Sequence, residues 1–373
     1  MPKAVSTEEV KAPADAVVDQ LRAKLGLVNK QIWSNPETAY EEHNIHDALC
    51  DFLENEGFQV TRHALGIGHA CGHNLIASSS IAAFIALSTV LKRFGMPGRT
   101  QLLGTPAEEN GGGKAKLIEN GAYQRADVSL MGHAGPTRIF PELESDGIAG
   151  LLVNARKEFT CEFIGKSAHA GGNPWTRLNA LDALVTSYNN VAVLRQQIQP
   201  DDRIHCAFLD TPKDLVPRVR NCIEAAALAT GCKVNLMEDQ LYADIEINET
   251  LCERYQFHMS KYGRNVTKNF PKFLAGSSNV GNVSYIMPTI HPMFSIHAPD
   301  GSFPHNPSFE TAPGTDVAFE EALVVGKLLA LIGWDVLTDN DLLQRAKYQW
   351  KQATSENQTV SRHLGSNTLS DLL

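Results

Sequence analysis

Apolar residues recur at helical spacing in two stretches near the start of the chain, over residues 15–27 and 40–56. In the second stretch, Ile45, Leu49 and Phe52 fall three or four positions apart, which places their side chains on one face of a helix. The pattern therefore predicts two amphipathic helices before the first glycine-rich loop.

Short β-type runs then alternate with longer apolar stretches. Residues 58–61, 100–104 and 128–132 have the composition of strands, whereas residues 75–94 and 318–332 have the composition of buried helices. The strand-like runs at 100–104 and 128–132 lead into polar loops, which is typical of an α/β sheet. Because chemistry in such sheets gathers at the carboxyl ends of strands, we expect an α/β fold with functional residues in these loops.

The middle of the chain has a different character. It combines β-type runs within 148–164 and 232–247 with helical patterns over 179–197 and 216–229. The mixture of strands followed by helices predicts a smaller α+β unit at residues 151–265.

This change of character suggests how the chain is divided. We expect a main α/β domain formed by residues 1–150 and 266–349, interrupted by the insert at 151–265. The last residues are polar and lack periodicity, so 350–373 is predicted to be a disordered tail.

Composition and charge narrow the function classes. The chain has 373 residues, with Lys+Arg 33 against Asp+Glu 42 and a formal net charge of −9. Nucleic acid and anionic membranes require a basic face, so we expect neither as a partner. No run of about 18 apolar residues predicts a membrane span, and the start of the chain lacks the apolar core of a signal peptide. The expected location is the cytoplasm, where the seven cysteines would stay reduced.

The sharpest local pattern is the segment HACGHN at residues 69–74. Cys71 and His73 are alternate residues of a loop, so their thiolate and imidazole groups can point at one zinc ion. The alternative is a helix-capping loop in which the cysteine and both histidines have structural roles. The segment alone leaves both interpretations open.

Other loops carry groups of related chemistry. Glu108 and Glu109 follow the strand-like run at 100–104, and in such a pair one carboxylate can bind a metal while the other takes a proton from a bound water. His133 ends the next predicted strand. A late loop contains further histidines between residues 291 and 305. Each of these groups by itself is more often structural or solvated than functional.

Two patterns are assigned no function. The segment GGGK at 111–114 lacks the upstream glycine and the following Ser or Thr of a phosphate-binding loop. His291, which precedes Pro292, is assigned a structural role. Cys71, His73, Glu109, His133 and a late histidine all fall at the ends of core strands, and with Glu108 as a possible addition they suffice for two zinc ions with open coordination positions.

The order of the segments NPE, GHACGHN, GTPAEE, MGHAGP, GKSAHAG and HNPSF resembles the dizinc metallopeptidases of clan MH, which include aminoacylase and carboxypeptidase G. The CGH segment is similar to the amidohydrolase branch, and the nearest likeness is to its dipeptidase-like members and to one of the two chains of aminobenzoyl-glutamate hydrolase, the B chain. The resemblance covers about residues 32–334. It implies a zinc-exopeptidase α/β catalytic domain interrupted by a smaller ferredoxin-like dimerisation domain.

The resemblance also implies residue roles. Cys71 and His73 match the first metal-binding pair, Glu108 the general base, Glu109 the adjacent zinc ligand and His133 the next ligand. Two zinc ions per subunit would activate a water, with manganese or cobalt as alternatives. Glu108 would pass the proton of that water to the leaving amine of a dipeptide or N-acyl amino acid.

Two histidines complete the implied site. His305 best matches the last ligand, because Phe309 follows it four residues later, and His297 is the alternative. His169 matches an insert-domain histidine that, in the family, reaches the active site of a dimer partner and supports the oxyanion. The resemblance therefore implies a homodimer acting on small substrates.

The chain departs from the family in two places. Residues 64–68 stand where the family has a strand with an acid behind the metal site, and after Asp210 the chain passes almost directly to its next helix. Both sheets are therefore expected to be truncated, and loss of an acid that supports the ligands typically lowers metal affinity or activity about 10–100-fold.

Two alternatives to an active hydrolase follow. The first is a catalytically impaired relative with a metal-binding or dimerising regulatory role. The second is a hydrolase that uses Cys71 as its nucleophile, which is disfavoured because no orienting acid lies nearby in sequence.

Overall fold

The computed structural model describes residues 5–37, 40–62, 72–109, 111–137, 139–140, 142–199, 202–204, 216–272, 274 and 276–363. The fold is a mixed α/β fold, as the pattern of runs predicts. Its helices are α1 (Thr7–Ser34), α2 (His43–Asn55), α3 (His73–Phe94), α4 (Gly113–Glu119), α5 (Ala180–Leu194), α6 (Val216–Thr230), α7 (Glu249–Lys261), α8 (Val280–Ser284), α9 (Asp316–Thr338) and α10 (Asn340–His363). Its strands are β1 (Ser129–Leu130), β2 (His133–Pro136), β3 (Gly147–Gly150), β4 (Phe159–Ile164), β5 (Lys233–Glu238), β6 (Thr267–Asn269), β7 (Thr289–Ile290) and β8 (Met293–Ile296).

Three long helices, α1, α3 and α9, pack together in the main hydrophobic core. Helix α1 begins at a capping box in which Ser6 and Glu9 satisfy each other's backbone N–H groups. Its residues Val10, Ala14 and Val18 recur every fourth position and are fully buried. The apolar residues that recur at helical spacing are therefore the ones that α1 buries. The helix is longer than the stretch predicted from the sequence.

Helices α3 and α9 approach each other closely at Gly326. A Cβ atom there would lie 2.6 Å from the Cβ of Ala82 and 2.8 Å from the carbonyl oxygen of Ser79. A glycine inside a helix costs roughly 0.5–1 kcal/mol relative to alanine. The close approach explains why a glycine nevertheless occupies this position.

Helix α3 is long and apolar enough to cross a membrane, and it is the one helix of the described ranges with that property. In the folded chain, 67% of its apolar window is buried. Its neighbours there are α1 and α9. An apolar composition of this kind is also typical of a central core helix. The packing of α3 against α1 and α9 accounts for its apolar composition.

The main sheet has four strands in the order β2–β8–β3–β6. Strands β2 and β8 are parallel, with His133 opposite Met293, whereas β3 runs antiparallel to β8. The parallel pair β1–β7 precedes β2 and β8 in the chain. His133 therefore begins strand β2 instead of ending a strand, because the run predicted at 128–132 divides between β1 and the approach to β2.

A second, smaller sheet pairs β4 with β5 in antiparallel fashion, with Phe159 opposite Glu238. Helices α5 and α6 pack on this sheet, and Val191 and Ile223 join Phe159 in a separate core. The region has the α+β character expected for residues 151–265. Its role as an inserted dimerisation domain stays a prediction.

Two of the predicted strands are wrong. Residues 58–61 and 100–104 are not strands in the structure, and the second segment is only partly buried. A strand exists only when a neighbouring strand completes its hydrogen bonds. The stretch that would supply such a neighbour, around residues 64–68, is short and lies outside the described residues.

The end of the chain also differs from the prediction. Helix α10 continues to His363, although the sequence predicts a disordered tail from residue 350. Trp350 donates its indole N–H to the carbonyl oxygen of Ser284 at 3.0 Å, and Gln349 accepts hydrogen bonds from Thr250. These polar contacts anchor the helix without the apolar periodicity on which the sequence prediction depends.

Candidate metal centre

His73 is the first residue of α3, and the preceding Gly72 has a left-handed backbone with φ of 75°. Its side chain is buried, at 1% exposure, because α3 lies inside the core. The core therefore fixes the position of this imidazole. Cys71, the predicted partner ligand, lies outside the described residues.

Glu108 and Glu109 lie in a turn that precedes α4. Ala107, immediately before them, has a left-handed backbone with φ of 49°, which costs roughly 1–2 kcal/mol for a residue with a side chain. Gly113 packs so tightly that a Cβ atom there would lie 1.9 Å from the carbonyl oxygen of Pro106. The turn is thus compact and strained, as is common where side chains must be placed for function.

Two side chains from the 151–265 region hold this turn by its backbone. Arg156 donates from Nη2 to the carbonyl oxygen of Glu109 at 2.7 Å, and the hydroxyl of Tyr242 accepts from the backbone N–H of Gly112 at 3.0 Å. The guanidinium of Arg156 stacks over the ring of Tyr242 at 4.4 Å. The placement of the two carboxylates therefore depends on the smaller α+β region.

The side chains of His73, Glu108 and Glu109 converge on one point, and His305 lies against Glu109 beside them. Nε2 of His73 lies 3.7 Å from Oε2 of Glu108 and 3.6 Å from Oε1 of Glu109. The same Oε1 of Glu109 lies 3.5 Å from Nε2 of His305. Donors that share one tetrahedral ion lie roughly 3–3.5 Å apart, because each bond is about 2 Å long. These donor atoms therefore have nearly the spacing that a shared metal requires.

His133 lies beside this cluster, with its ring centroid 5.6 Å from that of His73. Its Nδ1 is 2.7 Å from the carbonyl oxygen of Ala134. Since a carbonyl only accepts, Nδ1 of the neutral ring carries the proton and Nε2 carries the lone pair. Burial lowers the pKa of His133 and so favours the neutral form that a metal ligand needs.

The late loop supplies His305, whose backbone is left-handed with φ of 65°. It is the histidine of this loop that lies against Glu109, whereas the alternative, His297, is an exposed residue just after β8. The geometry thus favours His305 over His297, although its role as a ligand stays a prediction.

Glu108 is buried and surrounded by polar groups. Burial alone would raise its pKa, but the Lys114 ammonium, the Ser278 hydroxyl and nearby imidazoles together hold the pKa below its ordinary value. Ser278 donates to Oε1 of Glu108 at 2.6 Å, and Lys114 donates to Oδ1 of Asn279 at 2.8 Å. The carboxylate is therefore kept ionised, which is the form that can accept a proton.

His169 lies in an exposed loop, and its hydrogen bonds are to neighbouring residues of that loop. Its Nδ1 accepts from the backbone N–H groups of Gly171 at 3.2 Å and Gly172 at 2.9 Å. A neutral ring that accepts through Nδ1 carries its proton on Nε2. The loop thus presents an N–H donor on an exposed side chain, and the structure does not place it with the cluster.

Sequence reasoning misses several buried residues around Glu108. Lys114 belongs to the GGGK segment that fails as a phosphate loop, and Ser278 and Asn279 come from a polar stretch with no metal-ligating groups. His291, which the sequence assigns a structural role, has its ring centroid 5.7 Å from that of His133. The one sequence signal for His291 is its place in the histidine-rich late segment.

The donor set fits a divalent metal. Ligand atoms of His73, Glu108 and Glu109 all lie within 4.8 Å of one another. Adjacent carboxylates repel each other, and a cation between them removes that repulsion. Imidazole and carboxylate ligands suit zinc, manganese and cobalt alike.

Residues 46–326, most of the chain, match the family model described as Peptidase family M20/M25/M40. The chain belongs to the M20 peptidase family. Every described residue of the cluster lies inside the matched range. Membership in the M20 family, whose relatives are named as dipeptidases and hydrolases, identifies the chain as a hydrolase of the peptidase and amidohydrolase type.

Three M20-type relatives illustrate this likeness. A mouse protein named Xaa-Arg dipeptidase is 32% identical, with 96% of each chain covered. The B chain of the p-aminobenzoyl-glutamate hydrolase of Escherichia coli is 22% identical, covering 93% of this chain and 96% of that one. A Bacillus subtilis crystal structure, described as a dinuclear metal-binding peptidase of the M20 family, shares the fold with a TM-score of 0.54 at 14% identity, covering 86% of this chain and 99% of that one.

The alignment with the mouse protein includes positions that this chain does not fill. The alignment with the mouse protein runs over 427 positions, which exceeds the 373 residues of this chain by 54. At least that many aligned positions therefore have no counterpart here. The expected gaps near residues 64–68 and after Asp210 are consistent with this difference, and their exact places stay a prediction.

Proposed function

We propose that this M20 chain hydrolyses the amide bond of a dipeptide or N-acyl amino acid, with a metal-activated water as nucleophile and Glu108 as general base. The observation that carries the proposal is the convergence of His73, Glu108 and Glu109 on one point, with His133 and His305 beside them. The names of the relatives support the reaction class.

The residues of the cluster would have two roles, metal binding and proton transfer. His73, Glu109, His133 and His305, with Cys71, would hold two metal ions, which when bound polarise the scissile carbonyl and acidify a water. Zinc is the preferred metal because a cysteine thiolate is among the ligands. Glu108, kept ionised by its surroundings, would accept the proton of that water and deliver it to the leaving amine.

The experiment combines metal analysis with turnover. We expect up to two equivalents of zinc per chain in the purified protein, and chelator-sensitive cleavage of dipeptides or N-acyl amino acids. The name of the mouse relative makes dipeptides ending in arginine the first substrates to test. Less than about one metal per chain, together with no turnover on any of these substrates, would refute the proposal.

Glu108→Gln is the sharpest variant. Loss of the general base should reduce kcat by roughly 10²–10⁴. Because the amide keeps the size of the side chain, metal content should stay close to that of the unaltered protein. His43→Gln is the control, since His43 is an exposed residue at the start of α2 and should leave both values unchanged.

A second candidate is a non-catalytic relative that binds metal or dimerises as a regulator. The alignment with the mouse protein favours it, because at least 54 of its positions have no counterpart here and these are expected to include an acid behind the metals. Metal binding without turnover, unchanged by Glu108→Gln in a folded protein, would support this candidate.

We also propose a homodimer formed through α5. Leu181, Leu184, Val185 and Tyr188 lie at helical spacing and are exposed by 61%, 39%, 49% and 51%. An exposed apolar stripe of this kind is typical of an interface. We take a second copy of this chain as the partner that covers the stripe. Because the hydrogen bonds of His169 are local to its own loop, the second copy would also bring a bound substrate within reach of His169.

A further inference from the structure

His291 lies between strands β7 and β8 and takes no part in the chemistry described above. Its side chain is buried, at 7% exposure, and neither ring nitrogen has a hydrogen-bond partner among the described residues. A buried polar group without a partner typically costs about 1–3 kcal/mol, so such groups are rare. His291 therefore requires a partner that is not one of these residues.

The position of the ring indicates what that partner is. The centroid of His291 lies 5.7 Å from that of His133, and the centroid of His133 lies 5.6 Å from that of His73. Two imidazoles on one tetrahedral ion have centroids roughly 5 Å apart, since each metal–nitrogen bond is about 2 Å long. Both histidine pairs therefore have nearly this spacing.

The backbone holds His291 close to His133. His291 stands two residues before Met293, which is the register partner of His133 in the parallel pair β2–β8. The backbone N–H of His133 also donates to the carbonyl oxygen of Pro292 at 2.9 Å. His133, the first residue of β2, and His291, in the two-residue connection between β7 and β8, are thus held close together by the pairing of their strands.

We propose that His291 is an additional metal ligand, which binds the same ion as His133. The inference rests on the proposed function because it requires the metal. It assigns a ligand that the resemblance to the clan MH enzymes does not predict.

His291→Phe separates a ligand from a merely buried histidine. In the metal-free protein, phenylalanine removes two unsatisfied nitrogens while keeping an aromatic ring, so the melting temperature should stay equal or rise. In the metal-loaded protein, the stabilisation by zinc should shrink, and zinc affinity in a chelator competition should fall at least ~10-fold. The absorption spectrum of the cobalt-substituted protein should change as well.

Two variants serve as references. His133→Phe removes a ligand implied by the resemblance and should weaken metal binding. His46→Phe replaces another buried histidine, which has Asp47 and Cys50 as partners on α2, and should leave metal binding unchanged.

The outcomes distinguish the inference from the function. If His133→Phe weakens metal binding but His291→Phe leaves affinity and cobalt spectrum unchanged, the inference is wrong and the proposed function stands. If the unaltered protein binds no metal, the proposed function fails, and the inference fails with it. A weaker metal affinity together with an unchanged or higher metal-free melting temperature in His291→Phe supports the inference.

Discussion

Three non-glycine residues have a left-handed backbone among the described ranges, and all three border the candidate site: Tyr40, Ala107 and His305. Ala107 precedes Glu108, and His305 contacts Glu109. Tyr40 donates its hydroxyl to the carbonyl oxygen of Gly111 at 2.6 Å, in the same turn. At the scale of single residues, backbone strain is thus concentrated around the candidate metal-binding groups.

Glu42 is a further buried residue next to this turn. Neither carboxylate oxygen has a well-formed hydrogen bond within the described part of the chain. Burial raises the pKa of Glu42 to about 7, and the nearby backbone N–H groups of Ala107 and Tyr40 offset this effect only in part. The folded protein therefore keeps this carboxyl protonated at pH values where the unfolded chain ionises it.

We predict that Glu42→Gln makes the protein more stable, by an amount that depends on pH. Below the ordinary pKa of 4.5 the carboxyl is protonated in both the folded and the unfolded chain, so it costs no stability. As the pH rises towards 7, only the unfolded chain ionises it readily, and the free energy of unfolding falls. The free energy of unfolding, measured by urea denaturation, should be similar for both proteins at pH 4.5. The variant should become increasingly more stable up to pH 7. A difference that does not change with pH would contradict the raised pKa.

At the scale of elements, the close packing of α3 against α9 makes Gly326 sensitive to substitution. We predict that Gly326→Ala lowers the free energy of unfolding by about 1–3 kcal/mol, because its Cβ would lie 2.6 Å from that of Ala82 and the helices would have to separate. The measurement is urea denaturation at pH 7.

A glycine inside α1 provides the matched control. A Cβ atom at Gly26 would meet the ring of Phe319 at 3.4 Å, an ordinary contact. Gly26→Ala should therefore be neutral or stabilise by roughly 0.5–1 kcal/mol through its better helix propensity. Equal losses in both variants would show that close packing is not the reason for Gly326.

The helices are predictable because their periodicity is local, whereas the strands depend on distant partners. The segment at 100–104 has the composition of a strand, but no neighbour among the described residues completes its hydrogen bonds. The later part of helix α10 is not predicted from the sequence, because polar contacts hold the helix in place. The hydrogen bond from Trp350 to Ser284 is one of them.

The candidate site shows the same division. His73, Glu108, Glu109, His133 and His305 can be proposed together from their order along the chain, and the structure brings them together. His291 and Lys114 cannot be proposed from the sequence, because only the folded chain shows that both are buried beside Glu108. Chemical type alone does not distinguish a histidine or lysine in such a place from one on the surface.

At the scale of the whole molecule, the smaller α+β region is connected to the site in two ways. Arg156 and Tyr242 hold the turn of Glu108 and Glu109 directly. In the proposed dimer, His169 would act at the site of a second copy, because its own hydrogen bonds are local to its loop. Dimerisation and catalysis are therefore expected to be coupled.

We predict that Val185→Asp, in the middle of the α5 stripe, converts a dimer into a monomer, because a buried unpaired charge opposes association. Size-exclusion chromatography with light scattering measures the change. Turnover should fall with the loss of the dimer, while metal content stays the same.

Leu27→Asp is the control, since Leu27 is 71% exposed on α1, outside the stripe. It should remain dimeric and active. A monomeric unaltered protein with full activity would contradict both the dimer and the proposed role of His169.

The contacts of helix α10 affect how the protein tolerates cleavage or truncation at this helix. Its Trp350 holds Ser284, the last residue of α8, and α8 begins directly after Ser278 and Asn279, which contact Glu108 and Lys114. A protease that cuts α10 before Trp350 is therefore expected to disturb the proposed reacting groups although it removes none of them. The terminus that looks most dispensable in the sequence is a poor place to trim the protein, and an affinity tag is better fused to its other end.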